Sequence, residues 1–249
     1  MPDIPIDRNS VMTFNPFYRK PKERHLRAIA LLYICITMFL SGYAGNTITR
    51  PSEMNSNSSL IYNQIGNYSL SFDAFDLALK GYEELKDSLH LRENIITVVD
   101  FSQPSTQKRF YLINIDTKEV LFQDYVAHGK NTGVLEAKKF SNTANSNQSS
   151  LGFFKTAETY HGKNGLSLRL DGLEKGINNL ARKRAIVIHA ADYAEETFIK
   201  KYGRLGRSYG CPSLPPEHYN EIIELIKNGT LLFIYSPQEK YLHSSKILN

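Results

Sequence analysis

Two residue types that can carry covalent catalysis stand in telling places. Cys211 lies in the run Arg207-Ser208-Tyr209-Gly210-Cys211-Pro212, and His189 ends the β-branched run Ile186-Val187-Ile188. Glycine before the cysteine permits a tight turn and close approach of a substrate. Proline after it fixes the backbone and removes one N–H. Such a turn points a thiol outward while the N–H groups of Tyr209, Gly210 and Cys211 converge on an oxyanion, with Ser208 in the same turn. An ordinary cysteine, with a pKa of about 8.5, is mostly thiol at neutral pH. A neighbouring imidazole or an electropositive loop turns it into a nucleophile. His189 precedes Cys211 by 22 positions, room enough for a strand end, a helix and a turn. Arg204 and Arg207 add positive charge nearby, although solvated loop charge is the commoner role for such residues. The bland alternatives are a buried inert thiol and a structural histidine.

The elements that must position this pair can be read around it. The β-branched or aromatic runs Ile95–Val99, Arg109–Ile115, Glu119–Ala127, Leu168–Leu170, Ala185–His189 and Leu231–Tyr235 predict strands. Asp116-Thr117-Lys118 is a short polar connection that makes the second and third of these a hairpin. The fold class is therefore mainly β with flanking helices, a sandwich or barrel. Helices are expected over Ala191–Tyr202 and over Pro216–Lys227. Phe72, Phe75, Leu79, Tyr82, Leu85 and Leu89 recur at helical spacing and predict one amphipathic helix ahead of the domain. The polar stretch Lys138–Ser150 is a loop of a length that tends to be functional.

The N-terminal part has another character. Arg19, Lys20, Lys22, Arg24 and Arg27 precede the apolar run Ala28–Leu40, and Gly42-Tyr43-Ala44 follows as a small-x-small site. This order describes an export signal. The run is shorter than the about 20 residues of a stable span, so a cleaved signal peptide and a retained membrane anchor both remain open. Met1 and Met12 are both candidate starts of translation. Because part of the net charge of +5 sits in this leader, the basic balance is weak evidence for nucleic-acid binding. No basic-aromatic ladder follows, and no nucleic-acid partner is expected. Cys35, the other of the two cysteines, lies in the apolar run, so Cys211 has no disulfide partner once the leader is removed. The histidines are scattered without metal-ligand spacing, and neither a metal nor a cofactor is expected. The organisation expected is a leader and signal or anchor over 1–44, an Asn/Ser-rich linker over 45–70, the amphipathic helix over 71–92, a catalytic domain over 93–238 and a tail over 239–249.

The phrases VAHGKNTG (126–133), FSNT (140–143), SSLGFF (149–154), SLRLDGLEKGINN (167–179), AIVIHAADY (185–193) and GRLGRSYGCPSLP (203–215) occur in this order. Together they make the chain resemble the murein L,D-transpeptidase catalytic domain proteins, a branch of the L,D-transpeptidases of bacterial peptidoglycan. The resemblance covers roughly residues 93 to 237. It implies an L,D-transpeptidase-like domain, an exported protein of the periplasm or cell envelope, and peptidoglycan stem peptides as partners. It implies Cys211 as nucleophile and His189 as its base, oriented by a backbone carbonyl, with Ser208 contributing to that network. It also places His128, Tyr160, His161 and Arg169 near a substrate groove, with Arg207 beside them, while Arg169 and Asp171 are more readily an ion pair of the structure. The implied reaction forms a thioester with a stem tetrapeptide, releases D-Ala and passes the acyl group to an amine or to water. Carbapenems acylate many enzymes of this superfamily. The chain departs from the commoner pattern at Tyr209, where a second His is usual, at Ser213, where Arg or Asn is usual, and at Ala190, where Gly often follows the histidine. Two other readings stay open: an inactive wall-binding module that keeps the scaffold, and another surface Cys/His acyltransferase such as a sortase-like enzyme. N-terminal sequencing of the exported protein should give a start beyond residue 40; an intact Met1 would rule out cleavage.

Overall fold

The computed structural model describes residues 56–66, 68–92 and 94–249. The leader, the signal or anchor and residues 45–55 of the expected linker lie outside them. Among the described residues no helix is long and apolar enough to cross a membrane.

The chain runs α1 (Ser56–Ile65), α2 (Phe72–Leu85), β1 (Ile95–Asp100), β2 (Phe110–Asn114), β3 (Glu119–Asp124), β4 (Gly152–Gly162), β5 (Gly165–Gly172) and β6 (Val187–Ala190). It continues through a 3-10 turn (Asp192–Ala194), α3 (Glu196–Tyr202), β7 (Ser213–Leu214), α4 (Tyr219–Ile226), β8 (Leu231–Tyr235) and α5 (Glu239–Ser244). All eight strands form one sheet in the order β3-β2-β1-β8-β4-β5-β6-β7. The β1–β8 and β6–β7 pairs are parallel and the other neighbours antiparallel. The two edges of this sheet meet: Ala127, just past β3, bridges Ser213 of β7, and Gly129 bridges Ser208. The result is a mainly β, nearly closed sheet with a few helices on it.

The centre of the sheet explains its burial. Every residue of β1 and of β8 is buried, as continuous β-branched and aromatic runs demand when both faces are covered. Helix α2 supplies one cover. It starts at Ser71, whose hydroxyl accepts from the Ala74 N–H, and lays Ala74, Phe75, Ala78, Leu79 and Tyr82 inward. Gly81 lies where any Cβ would fall 2.1 Å from the Phe153 ring, so glycine here lets β4 come up under the helix. Phe153 stacks in turn on Phe233 of β8, with ring centroids 4.3 Å apart.

Several expectations need correction. Part of the expected linker is α1, because Ile61 and Ile65 are buried in the main core and Tyr62 sets its ring 5.3 Å from that of Phe72. The helix expected to reach residue 92 ends at Leu85, although Leu89 still packs on the core. The helix expected over 191–202 is broken by extended backbone at Glu195 into the 3-10 turn and α3. The helix expected from Pro216 begins at Tyr219. Strand β4 has no counterpart among the expected strands. The C-terminal stretch is an ordered helix instead of a tail: Tyr241, Ser245 and Leu248 are buried.

Glu174 fastens that helix. Its buried carboxylate accepts from the Phe153 N–H at 2.8 Å, from the Tyr241 hydroxyl at 3.2 Å and from the Ser245 hydroxyl. Burial pushes its carboxyl above the usual carboxylate range. Replacing Glu174 by Ala leaves a buried N–H and two buried hydroxyls without their acceptor. Urea unfolding of Glu174→Ala should show a loss of about 2–4 kcal/mol, whereas a surface-like loss below about 0.5 kcal/mol would contradict this role.

Candidate active site

Strand β6 lies between β5 and β7, with His189 opposite Ser167 on one side and Ser213 on the other. The His189 side chain is buried, and its Nδ1 lies 2.9 Å from the Ala190 carbonyl oxygen. A carbonyl only accepts, so Nδ1 carries the proton and Nε2 is bare. Ser213 Oγ lies 3.0 Å from Nε2 and therefore donates to it. Its single hydrogen is thus spent, so the Tyr193 hydroxyl, 3.0 Å away, donates to Ser213. Burial holds the imidazole below the usual histidine pKa, and Lys163 pushes the same way against the Ala190 hydrogen bond.

Cys211 follows a glycine that has to be glycine. Gly210 has φ +132°, and a Cβ there would meet the Gln148 carbonyl oxygen at 2.9 Å and Ile186 Cδ1 at 3.0 Å. The turn is strapped from three sides. Ser208 donates its hydroxyl to the Cys211 carbonyl at 2.6 Å and accepts from the Gly210 N–H at 3.0 Å. The Ser208 N–H donates to the His128 carbonyl at 3.0 Å. Ser149 donates to the Gly210 carbonyl at 3.1 Å. The half-buried thiol faces the chain entering β6, with its Sγ 3.6 Å from the Ala185 carbonyl oxygen and a hydrogen bond from the Val187 N–H. No hydrogen bond joins Sγ to His189. Burial pushes the Cys211 thiol up, against the Val187 N–H and the charges of Arg184 and Lys163, so the resting group is a neutral thiol and not the lowered one expected.

Both side chains open on one cleft of about 1010 Å³, whose wall also includes Tyr160, Lys163, Arg184 and Tyr193. Arg184 does two things there. Its guanidinium binds the carbonyls of Ser141 and Gln148, at 2.6 and 2.7 Å, and the hydroxyls of Ser146 and Ser150. It thereby ties down the loop 138–150, which lies against Gly210, and it sets a positive charge beside the thiol.

The expected site residues divide. Cys211, His189, Tyr160, Arg207, Ser208 and Tyr209 all line the cleft. Tyr209 is 69% exposed, with Lys130 Nζ 4.5 Å from its ring centre. Arg207 donates to the carbonyls of Lys130 and Gly133, at 3.3 and 3.1 Å. Gly210 cannot offer its N–H to an oxyanion, because that N–H is held by Ser208; those of Tyr209 and Cys211 have no acceptor among the described residues. Ser208 braces the turn but does not touch His189, and Ser213 takes the place expected of it. His128 is not in the groove. It is buried, accepts at Nδ1 from Arg109 at 2.8 Å and donates from Nε2 to the Gly133 carbonyl at 3.3 Å. Burial and the Arg109 charge push it down to about 3, so it stays neutral. Arg169 lies behind the wall, its guanidinium 4.2 Å from the centre of the Tyr160 ring and 3.1 Å from Glu158. Asp171 pairs with Arg182, not with Arg169. His161 is exposed on β4 and lies outside the cleft wall. Ser213, Tyr193 and Arg184 were missed. The only local signal was the departure at Ser213, since strand register and a loop strap bring these groups in. Among the described residues no three His, Cys, Asp or Glu side chains gather as metal ligands would.

Solved structures that align with this chain include L,D-transpeptidases. That of Mycobacterium smegmatis aligns with a TM-score of 0.36 at 13% identity, over 57% of this chain and 59% of its own. L,D-transpeptidase 1 of Mycobacterium tuberculosis gives 0.33 at 13%, over 58% and 63%. The L,D-transpeptidase of Stackebrandtia nassauensis gives 0.35 at 14%, over 66% and 67%. This chain thus spans less than two thirds of the first two. No curated protein matches the sequence. The model of one family, described as L,D-transpeptidase catalytic domain, matches residues 66–235, well over half of the 249. The chain belongs to the L,D-transpeptidase catalytic domain family.

Proposed function

We propose that this protein is an exported peptidoglycan acyltransferase that works through a thioester on Cys211. The observation that carries the reading is the shared cleft, in which a thiol on a strapped Gly-Cys-Pro turn and a histidine of fixed tautomer face the same space. The donor is a stem tetrapeptide. Cys211 Sγ attacks the carbonyl that joins the diamino acid to the terminal D-Ala, and the thiol proton goes to His189 Nε2. The N–H groups of Tyr209 and Cys211 are the available donors for the oxyanion. Collapse of the tetrahedral adduct breaks the amide bond, His189 gives its proton to the leaving amine, and D-Ala departs. An amine of a neighbouring stem, or water, then attacks the thioester, gives its proton to His189 and releases the thiol. The Ala190 carbonyl keeps the imidazole proton on Nδ1, which leaves Nε2 as the working nitrogen throughout.

One observation favours the inactive wall-binding module. In the resting site the thiol is held up by burial and makes no bond to His189. In the proposed reaction this means that the pair forms only with substrate in the cleft, since the Cys211 thiol must turn from the Ala185 carbonyl toward Nε2 and take the place of the Ser213 hydroxyl there.

The two readings separate in a mass spectrum. The intact protein treated with a carbapenem should gain the mass of one drug molecule, and Cys211→Ala should gain none. D-Ala should be released from defined tetrapeptide muropeptides, and His189→Ala should slow this by about 10²–10⁴-fold. No adduct together with no D-Ala would leave the binding module.

The resting thiol can be probed by pH. Because burial raises Cys211, alkylation by iodoacetamide without substrate should stay slow at neutral pH and climb only above the ordinary thiol value of about 8.5. Because burial lowers His189, its base form persists on acidification, so D-Ala release should fall off only below the ordinary histidine value of about 6.5. Fast alkylation at pH 7, or an acid limb above that value, would contradict these settings.

A further inference from the structure

The group bonded to His189 Nε2 is not the thiol but the hydroxyl of Ser213, and the fold brings it there by register. Ser213 stands opposite His189 in the parallel β6–β7 pair, on strands about 4.8 Å apart. Its main chain is held independently of its side chain, since the Ala127 N–H donates to the Ser213 carbonyl at 2.9 Å and the Ser213 N–H to the Ala127 carbonyl at 3.3 Å. The side chain is fully buried, so its hydroxyl has no water to turn to. Tyr193, on the 3-10 turn, completes the chain of bonds. Gly206 makes room for it: a Cβ on Gly206 would fall 2.4 Å from Tyr193 Cβ, and the Gly206 N–H donates to the Tyr193 carbonyl at 2.7 Å.

We infer that Ser213 and Tyr193 are positioning residues for His189, holding the imidazole at Nε2 as the Ala190 carbonyl holds it at Nδ1. The chain serves both protonation states. With a neutral ring, Tyr193 donates to Ser213 and Ser213 donates to Nε2. When Nε2 gains a proton it donates to Ser213 Oγ, the Ser213 hydrogen turns to the Tyr193 oxygen, and the phenol hydrogen turns into the cleft that Tyr193 lines. Each hydroxyl keeps one hydrogen, and only its direction changes. No buried polar group is left unpaired in either state, so the ring can cycle without leaving its place. The other titratable groups on the cleft wall are Tyr160 from β4, Lys163 from the β4–β5 turn, Arg184 ahead of β6, Asp192, Glu195, Lys201 and Tyr202 around the 3-10 turn and α3, and Arg207, Tyr209 and Cys211 from the chain before β7. The catalytic consequence rests on the acyltransfer reading; the hydrogen-bonded chain does not.

The test therefore begins without substrate. In the ¹⁵N imidazole spectrum of the full chain, the His189 signal is identified by its loss in His189→Gln. It should show a protonated Nδ1 and a bare Nε2. In Ser213→Ala and in Tyr193→Phe the Nε2 resonance should move. Ser213→Thr, which keeps the hydroxyl, should stay close to the parent. With stem tetrapeptide as substrate, kcat for D-Ala release should fall on the order of 10-fold to 100-fold in Ser213→Ala, with KM little changed. Tyr193→Phe keeps its ring packing on Gly206 and serves if Ser213→Ala does not fold. An unmoved Nε2 resonance in the folded variants, or a kcat in Ser213→Ala within about twofold of the parent, would overturn the assignment. Resonances that move as stated in a parent protein that releases no D-Ala would support the positioning role and overturn the acyltransfer reading instead.

Discussion

The site depends on a two-residue strand. Ser213 and Leu214 are all there is of β7, yet they pair with His189 and Ala190 on one side, while Ala127 bonds Ser213 on the other. This small seam is where the first edge of the sheet comes round to meet the last. Without it, β6 would be an edge strand and its histidine would face water. The turn that carries Cys211 would also lose its anchor, because the chain enters β7 directly from that turn. Backbone hydrogen bonds at the seam thus set two things at once: the burial of the imidazole and the place of the thiol.

What surrounds the seam stiffens it. Arg109, fully buried, gives its guanidinium to the carbonyls of Gln103 and Val126 and to His128 Nδ1. Among the described residues no carboxylate forms an ion pair with it, and desolvation, against the attraction of the Asp100 charge, lowers its pKa to about 9. A cation so placed is costly unless every N–H is used, and here the hydrogen bonds converge on the segment that bridges β7. His128 passes the hold on to the Gly133 carbonyl, which Arg207 also grips. His128, which resembles a groove contact on sequence grounds, is therefore a brace of the wall behind the turn, while Arg207 grips that brace and also lines the cleft. Arg184 acts from the opposite side through the loop 138–150.

The legible part of this protein is local in sequence. His189 and Cys211 announce themselves because a strand end and a Gly-Cys-Pro turn are short-range patterns. The hairpin β2–β3, the strand β8 and the inner face of α2 are legible for the same reason. Strand β4 is not. Its outer part, Glu158 to Gly162, mixes charged and polar residues, since it extends past the covered core and is paired with β5. His128 looks like a site residue because its buried partner, Arg109, lies 19 positions away, just ahead of β2. Ser213 looks like a mere departure from a pattern, because only the register of β6 against β7 shows that its hydroxyl reaches the imidazole.

This register also bears on why the thiol and the imidazole rest apart. A neutral imidazole has one acceptor nitrogen. With Nδ1–H committed to Ala190, whatever donates to Nε2 excludes other donors. Ser213 holds that position at 3.0 Å, and the thiol turns to the Ala185 carbonyl, at 3.6 Å a far weaker bond. An ion pair formed in the empty cleft would desolvate both charges with little to offset it. A substrate carbonyl changes that balance, because attack carries the sulfur charge into a covalent bond and leaves the oxyanion to backbone donors. The resting arrangement is therefore the lower-energy way to keep a buried imidazole and a half-buried thiol neutral. Ser213 is the group through which the imidazole can stay satisfied while it waits.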